Sequence, residues 1–331
     1  MRQTAVVIAP GRGTYNKAQL GYLQRHAGHL LLSEFDTYRE GKRQESVTAL
    51  DNADRFAASK HTSGEHASPL IYTAGYLDFA SIDREKFDII GVTGNSMGWY
   101  TALACAGAVT PLDGFQIVNT MGTLMQRNLI GGQLIYLFFD DNWVPISGRR
   151  ESILRKMAEI DGRDGHVLAL SIDLGGMLVL AGNIAGLDAF EAEMQCIQDR
   201  FPMRLQNHAA FHTHLQDPVA EQGRGLLPDS LFGQPKIPMI DGRGAIWRPG
   251  AVGPIDLWSY TLGHQVVKPY DFTAAIRVAA RELMPDVFIV LGPGNTLGGA
   301  VAQSLIACNW RGMHDKDSFK TQADRLLSLG A

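Results

Sequence analysis

The sequence has little cysteine, no excess of charge of one sign and no long apolar run. Its three cysteines, Cys105, Cys196 and Cys308, are far apart and form no CxxC pair. This excludes a disulfide framework and a cysteine zinc cluster, and we expect a reducing, cytoplasmic location. Because 30 Lys and Arg stand against 34 Asp and Glu, the basic surface that binds nucleic acid is not predicted either.

The most apolar stretches are residues 129–139 and 167–181. Both are shorter than the roughly 20 residues that cross a bilayer, so no membrane partner is expected. The apolar run before Pro10 is shorter than that of a signal peptide, and export is not expected. What the chain has instead is 45% apolar residues and 36 glycines, which is typical of a globular protein with many tight turns.

Short β-branched runs alternate with helical patterns along most of the chain. This alternation predicts a mostly parallel sheet with helices on its faces. The predicted strands are Val6–Ala9, Phe87–Val92, Ile237–Ile240 and Val287–Leu291.

A different order of elements occupies residues 130–206. Strands are predicted at Leu134–Phe139, Val167–Ile172, Met177–Ala181 and Met203–Gln206, and helices at Arg149–Ile160 and Leu187–Gln198. The order β-α-β-β-α-β is that of the ferredoxin-like unit. We therefore predict an inserted ferredoxin-like subdomain at 130–206 and a catalytic core formed by residues 1–129 and 207–331.

The most informative motif is Gly94-Asn95-Ser96-Met97-Gly98, which lies between a buried strand and an alanine-rich helix. A nucleophile elbow has this order because its turn is so tight that only glycine fits at the flanks. The serine hydroxyl is then exposed at a helix N-terminus, where N–H groups favour an oxyanion. The alternative interpretation is a glycine-rich packing turn.

A serine nucleophile needs a neighbouring base to take its proton. In an α/β-hydrolase the catalytic histidine follows the serine and the acid and lies near the end of the chain. His264 and His314 fit that order, but neither has a convincing sequence context. His212 follows the predicted subdomain directly and is the better candidate. It lies close to His208 and His214 in sequence, yet no Asp, Glu or Cys ligand accompanies the three, so a metal site is not predicted.

The order and spacing of four motifs resemble those of the malonyl-CoA:acyl carrier protein transacylases and the acyltransferase domains of polyketide synthases. The family has Pro-Gly-Gln-Gly, Gly-His-Ser-Leu-Gly, Ala-Phe-His-Ser and Val-Gly-Pro-Gly at these places. The matching segments here are Pro10–Gly13, Gly94–Gly98, Ala210–Thr213 and Leu291–Gly294. The resemblance covers about residues 5 to 310 and implies an α/β-hydrolase-like parallel-sheet core with a ferredoxin-like insert.

The resemblance also implies an activity. Ser96 would accept an acyl group from acyl-CoA, with His212 as the base, and pass it to the phosphopantetheine thiol of an acyl carrier protein in fatty-acid or polyketide synthesis. The backbone N–H groups of Arg12 and Met97 would form the oxyanion hole. No resident cofactor is implied. Two alternatives stay open, an acyl hydrolase on the same scaffold and an inactive docking module.

One departure from the family concerns the acyl group. Malonyl-specific members carry an arginine on the helix after the elbow, and here that position is Met121. A thioether cannot pair with the malonyl carboxylate, and burying that carboxylate unpaired is costly. Either Arg12 or Arg127 supplies the charge, or the acyl group is uncharged, for instance acetyl. From the sequence we favour an altered acyl preference.

Further substrate contacts are expected at Asn95, which replaces the family's histidine before the serine, and at Phe211. Asp271 aligns with a family residue whose main chain orients the catalytic histidine. Its carboxylate could hold the His212 imidazolium, as an aspartate does in a triad. It could instead cap the predicted helix Phe272–Leu283, where an N-terminal aspartate is expected.

Overall fold

The computed structural model describes residues 2–330. Their strands are β1 (Gln3–Ala9), β2 (Phe87–Gly94), β3 (Gly132–Leu137), β4 (Leu168–Leu174), β5 (Met177–Gly182), β6 (Met203–Leu205), β7 (Met239–Ile240), β8 (Ile246–Trp247), β9 (Tyr270–Asp271), β10 (Val287–Val290) and β11 (Leu326–Ser328). Their α-helices are α1 (Leu30–Gly41), α2 (Val47–Asp51), α3 (Ala58–His61), α4 (Gly64–Ala80), α5 (Gly98–Cys105), α6 (Pro111–Arg127), α7 (Arg149–Asp161), α8 (Ile184–Glu193), α9 (Asp217–Leu226), α10 (Pro254–Ser259), α11 (Gln265–Val267), α12 (Phe272–Val278), α13 (Gly298–Ala307) and α14 (Lys316–Lys320).

The larger sheet has the strand order β11-β10-β1-β2-β7-β8. All neighbouring pairs are parallel except β7 with β8. Strand β1 is central, and its side chains alternate between two buried faces: Ala5 and Val7 pack towards α4, α5 and α6, while Val6 and Ile8 pack towards α12 and α13. A strand buried on both faces has to be apolar throughout, which explains the continuous apolar run near the N-terminus.

The smaller sheet has the strand order β6-β3-β5-β4-β9. Its first four strands are antiparallel, and α7 and α8 cover them through a core that includes Leu134, Ile153 and Leu187. The predicted mixed α/β fold is confirmed. One strand of this sheet comes from outside residues 130–206, because Tyr270–Asp271 pairs in parallel with Ile172–Asp173.

Some predicted element bounds were wrong. The helix expected at Leu187–Gln198 is α8, which begins earlier because Asn183 caps it by accepting from the Gly186 N–H. It ends at Glu193, and the Gln195 carbonyl then accepts from the Tyr136 hydroxyl. The helix expected at Phe272–Leu283 is α-helical only to Val278 and continues as a π-helical turn. Within residues 2–330, no helix combines the length and apolar character that crossing a bilayer requires.

The connection from β2 to α5 is packed against the end of β1. A Cβ atom on Gly98 would lie 2.2 Å from the carbonyl oxygen of Ala9, and a Cβ on Gly94 would lie 2.3 Å from the carbonyl oxygen of Gly98. Neither neighbour is a flexible side-chain end, so neither contact is relieved without moving the backbone. The glycines at both flanks of the motif are therefore required by close approach.

We expect Gly98→Ala to lower the free energy of unfolding by about 2–4 kcal/mol, because the new methyl group forces main-chain displacement in a packed region. Chemical denaturation monitored by circular dichroism measures the change. The matched control is Gly299→Ala in α13, where an added Cβ has open space around it. That variant should differ from wild type by less than about 1 kcal/mol. Equal stabilities for the two variants would contradict the packing argument.

Candidate active site

Ser96 stands at the apex of the turn between β2 and α5. Its backbone has φ of 54°, in the left-handed region that residues other than glycine rarely adopt. The turn therefore holds a strained residue at the N-terminus of a helix, as a nucleophile elbow does. His212 has the same kind of backbone, with φ of 58°. Both side chains are thus presented by conformations that the surrounding packing has to enforce.

The structure brings Ser96 and His212 together. The Ser96 Oγ lies 2.7 Å from Nε2 of His212. The other ring nitrogen, Nδ1, lies 2.7 Å from the carbonyl oxygen of Gln265. A carbonyl can only accept, so in the neutral ring Nδ1 carries the proton and Nε2 is left as the acceptor for the serine hydroxyl. This tautomer is the one that a general base needs.

Burial determines the protonation state of this histidine. His212 is 3% exposed, and loss of hydration lowers its pKa to about 4, against the smaller opposing effect of the hydrogen bond to the Gln265 carbonyl. The imidazole is consequently neutral across the physiological range. A neutral imidazole is competent to accept a proton.

Gln265 is the residue of this site that the sequence did not reveal. Its carbonyl accepts from His212, its side-chain Nε2 donates to the Ser96 carbonyl at 3.0 Å, and its Oε1 accepts from the Tyr100 hydroxyl at 3.2 Å. It follows directly after a π-helical turn at Tyr260–His264. Turns of this kind are frequent at functional sites but leave no clear local pattern in a sequence.

Asp271 does not hold His212. Its carboxylate accepts from the Ala274 N–H at 2.7 Å and caps α12, whereas Nδ1 of His212 is bonded to Gln265. The capping interpretation is therefore confirmed, and the expectation of a carboxylate triad is wrong. The neighbouring Tyr270 is the residue that reaches the elbow, since its hydroxyl donates to the Gly94 carbonyl at 2.5 Å.

A cavity of about 410 Å³ adjoins Ser96 and His212. That volume lies within the range of small-ligand sites, about 300–1,000 Å³. One part of its wall is the first loop, residues 11–14, together with Ser68 of α4 and Gly122 of α6. Another part, which we call the apolar wall, comes from the small sheet and α13. The apolar wall consists of Ile135, Leu174, Met177, Val179, Leu297 and Ala300.

Two of the four residues expected to contact the substrate line this cavity, and two do not. Asn95 and Phe211 line it, whereas Met121 and Asp271 are not among its lining residues. Met121 is fully buried, and its Sδ lies 2.7 Å from where a Cβ on Gly223 of α9 would stand. The side chain at this position therefore packs between helices α6 and α9.

The first loop and the elbow each contribute one residue expected to form the oxyanion hole. Arg12 and Met97 both line the cavity. Among the hydrogen bonds of residues 2–330, neither of their backbone N–H groups donates to a main-chain carbonyl. The two groups are the pair expected to form an oxyanion hole.

A buried chain of hydrogen bonds joins the small sheet to the histidine segment. His208 Nδ1 lies 2.8 Å from Gln133 Oε1, Gln133 Nε2 donates to Ser171 Oγ at 2.7 Å, and Ser171 Oγ donates to the carbonyl of Phe211 at 2.8 Å. This chain of hydrogen bonds holds the backbone next to His212. His214 is exposed, so the three nearby histidines do not converge.

Two groups of curated relatives resemble the chain in sequence. It is 26% identical over 244 residues to a phenolphthiocerol synthesis polyketide synthase of Mycobacterium marinum, covering 73% of this chain and 11% of that protein. It is 23% identical over 211 residues to the malonyl CoA-acyl carrier protein transacylase of Salmonella typhimurium, covering 63% of each. The matches thus span less than two thirds of either relative. No family model matches the chain.

Solved structures share the fold over almost the whole chain. A malonyl-CoA:acyl carrier protein transacylase from Xanthomonas oryzae superposes with a TM-score of 0.75 at 21% identity, covering 92% of both chains. A malonyl-transacylase in complex with a type II polyketide synthase acyl carrier protein superposes with a TM-score of 0.73 at 18% identity, covering 98% of this chain and 94% of that one. The predicted resemblance to this family is confirmed.

We expect the reactivity of Ser96 to depend on pH through His212. Because burial lowers the pKa of His212 to about 4, the neutral base should persist well below pH 6.5. The rate of inactivation by a sulfonyl fluoride should be constant from pH 8 to about 5.5 and half-maximal near pH 4. The exposed neighbour provides the control, since His214→Gln should leave the profile unchanged. A midpoint at or above pH 6.5 would show that His212 is solvated.

Proposed function

We propose that this chain, a relative of the malonyl-CoA:acyl carrier protein transacylases, transfers an acyl group from acyl-CoA to the phosphopantetheine thiol of an acyl carrier protein. The supporting observation is the 2.7 Å contact between Ser96 Oγ and the unprotonated nitrogen of His212 beside a cavity. We infer the substrate classes from the names of the relatives, and the type of reaction from the geometry of the site.

The first half-reaction acylates the serine. Ser96 Oγ attacks the thioester carbonyl while its proton moves to Nε2 of His212. The carbonyl oxygen becomes an oxyanion, which the backbone N–H groups of Arg12 and Met97 stabilise. The C–S bond then breaks, and the imidazolium gives its proton to the departing CoA thiolate. The products are an acyl-Ser96 ester and free CoA.

The second half-reaction reverses these roles. A carrier-bound pantetheine thiol enters the site vacated by CoA and gives its proton to Nε2 of His212. The resulting thiolate attacks the ester, and the same two N–H groups hold the second oxyanion. When the C–O bond breaks, the imidazolium returns the proton to Ser96 Oγ. The acyl group leaves on the carrier, and the free enzyme is restored.

The apolar wall favours a thiol over water as the acceptor. Ile135, Val179 and Leu297 offer no hydrogen-bond partner that would hold a water molecule near the ester. A pantetheine arm, in contrast, can bury apolar surface against this wall. An acyl hydrolase is the competing activity, and the six residues of the apolar wall supply no polar side chain to position its water.

The proposal predicts radiolabel on Ser96 from labelled acyl-CoA and its transfer to an added carrier protein. Ser96→Ala should abolish labelling. His212→Gln should lower the acylation rate by about 10²–10⁴-fold, because the base is lost while the cavity remains. The control His214→Gln should behave as wild type.

Electrophoresis of the labelled enzyme and chromatography of the products separate the competing activities. Label that reaches the carrier supports transfer. Free acid produced at the same rate with and without carrier would establish a hydrolase instead. An unlabelled wild-type enzyme would leave only a docking role.

A further inference from the structure

Arg12 is the one cavity residue whose side chain carries buried hydrogen-bond donors without acceptors. Its Nη2 donates to the carbonyls of Thr62 and Asn207, both at 2.8 Å. Its Nε and Nη1 are buried and have no hydrogen-bond partner within residues 2–330. An arginine offers five N–H groups, so three are left without an acceptor. The two on Nη1 are adjacent and can serve one ligand, whereas the Nε–H points to the other side of the guanidinium.

The charge of this guanidinium is also uncompensated. Among residues 2–330, no carboxylate lies within 4.0 Å of Arg12. The ring of Phe211 also lies near it, with its centroid 5.4 Å from Cζ. Burial lowers the pKa of Arg12 to about 10, so the side chain is still cationic at neutral pH. An isolated buried charge is costly unless an ion of opposite sign joins it.

The surroundings of Nη1 consist of small residues. A Cβ on Gly64, at the start of α4, would lie 3.5 Å from Nη1, and the same Cβ would lie 2.6 Å from the carbonyl oxygen of Gly122. The guanidinium therefore reaches the part of the cavity wall formed by α4 and α6. The N-terminus of the 17-residue helix α4 adds a favourable field for an anion at this place.

The other candidates for a carboxylate partner lie elsewhere. Met121 packs against α9 outside the cavity, and Arg127 is exposed at the end of α6 and does not line it. Arg200 also lines the cavity and forms no salt bridge within residues 2–330, but it is exposed and its Nε donates to Met203 Sδ. Of the described cations in the cavity wall, Arg12 is the one with buried donors that lack acceptors.

We propose that Arg12 is the specificity-determining residue and binds the free carboxylate of a dicarboxylic acyl group through Nη1. This inference rests on the proposed function, since the acyl group is the one carried by Ser96. It replaces the uncharged acyl group that the sequence favoured. The methionine at position 121 is then compatible with a carboxylated substrate, because the cation comes from the first loop.

Equilibrium binding tests this assignment independently of turnover. In a Ser96→Ala background, calorimetry measures the dissociation constants of malonyl-CoA and acetyl-CoA, which differ by one carboxylate. We expect malonyl-CoA to bind about tenfold more tightly or better, as a charge-assisted hydrogen bond allows. Adding Arg12→Gln should remove this preference. Adding Arg127→Gln, the same change of charge at the exposed position, should retain it.

A second substitution guards against loss of structure. Arg12→Gln removes the bonds to Thr62 and Asn207, so its thermal unfolding is compared with wild type. Arg12→Lys keeps the charge without the planar fork and should give a reduced but measurable preference for malonyl-CoA. If Arg12→Gln does not fold, an Arg12→Lys variant with the full preference overturns the assignment.

Two results would overturn the assignment of Arg12. One is equal dissociation constants of malonyl-CoA and acetyl-CoA for the Ser96→Ala protein, and the other is a preference for malonyl-CoA that persists after Arg12→Gln. Failure of the proposed function gives a result that is distinguishable from these two. In that case the protein with Ser96 intact forms no acyl-serine from either thioester, whatever the binding data show.

Discussion

The chemistry of this site depends on one hydrogen bond, from Nδ1 of His212 to the main-chain carbonyl of Gln265. This bond fixes the ring tautomer and turns the unprotonated Nε2 towards Ser96. A carbonyl does this without a formal charge, so the imidazolium that the proposed attack would form is less stabilised than it would be beside a carboxylate. The base is weak because burial lowers its pKa, and the hydrogen bond to the carbonyl opposes this effect only in part.

Gln265 extends this control to the nucleophile, because its side chain contacts the Ser96 carbonyl and the Tyr100 hydroxyl. One residue thus positions both partners of the proton transfer. In addition, the hydrogen bonds through Gln133 and Ser171 hold the backbone at Phe211. The histidine is therefore fixed between a π-helical turn of the large core and a strand of the small sheet.

The parts of this arrangement that could be predicted from sequence are those encoded locally. The elbow depends on two glycines at fixed spacing, and the strand and helix on either side follow from apolar pattern. No local rule pairs residues so distant in the chain, so His212 was chosen from its place directly after the predicted subdomain, and the resemblance to a family then supported the choice. Gln265 escaped prediction because its role depends on main-chain atoms after a π-helical turn, which the residue types do not specify.

The charge of the acyl group could not be decided from sequence for a similar reason. Replacing the family arginine by Met121 is visible in the sequence, but the direction in which each side chain points is not. The structure directs Met121 towards α9 and brings the guanidinium of Arg12 to the wall formed by α4 and α6. If Arg12 binds the carboxylate as proposed, the cation that the family carries at the position of Met121 is supplied here by the first loop instead.

Strand β9 limits how the two sheets can move. It follows the histidine segment in the chain, yet it pairs with β4 of the small sheet, and its Tyr270 also holds the Gly94 carbonyl of the elbow. A rigid-body movement of the small sheet away from the core would break the pairing of β9 with β4. It would also displace the turn that carries Ser96, because Tyr270 is bonded to Gly94. Entry of the proposed pantetheine arm by side-chain and loop adjustment would avoid that cost, so in the proposed reaction access of the acceptor is tied to the geometry of the nucleophile.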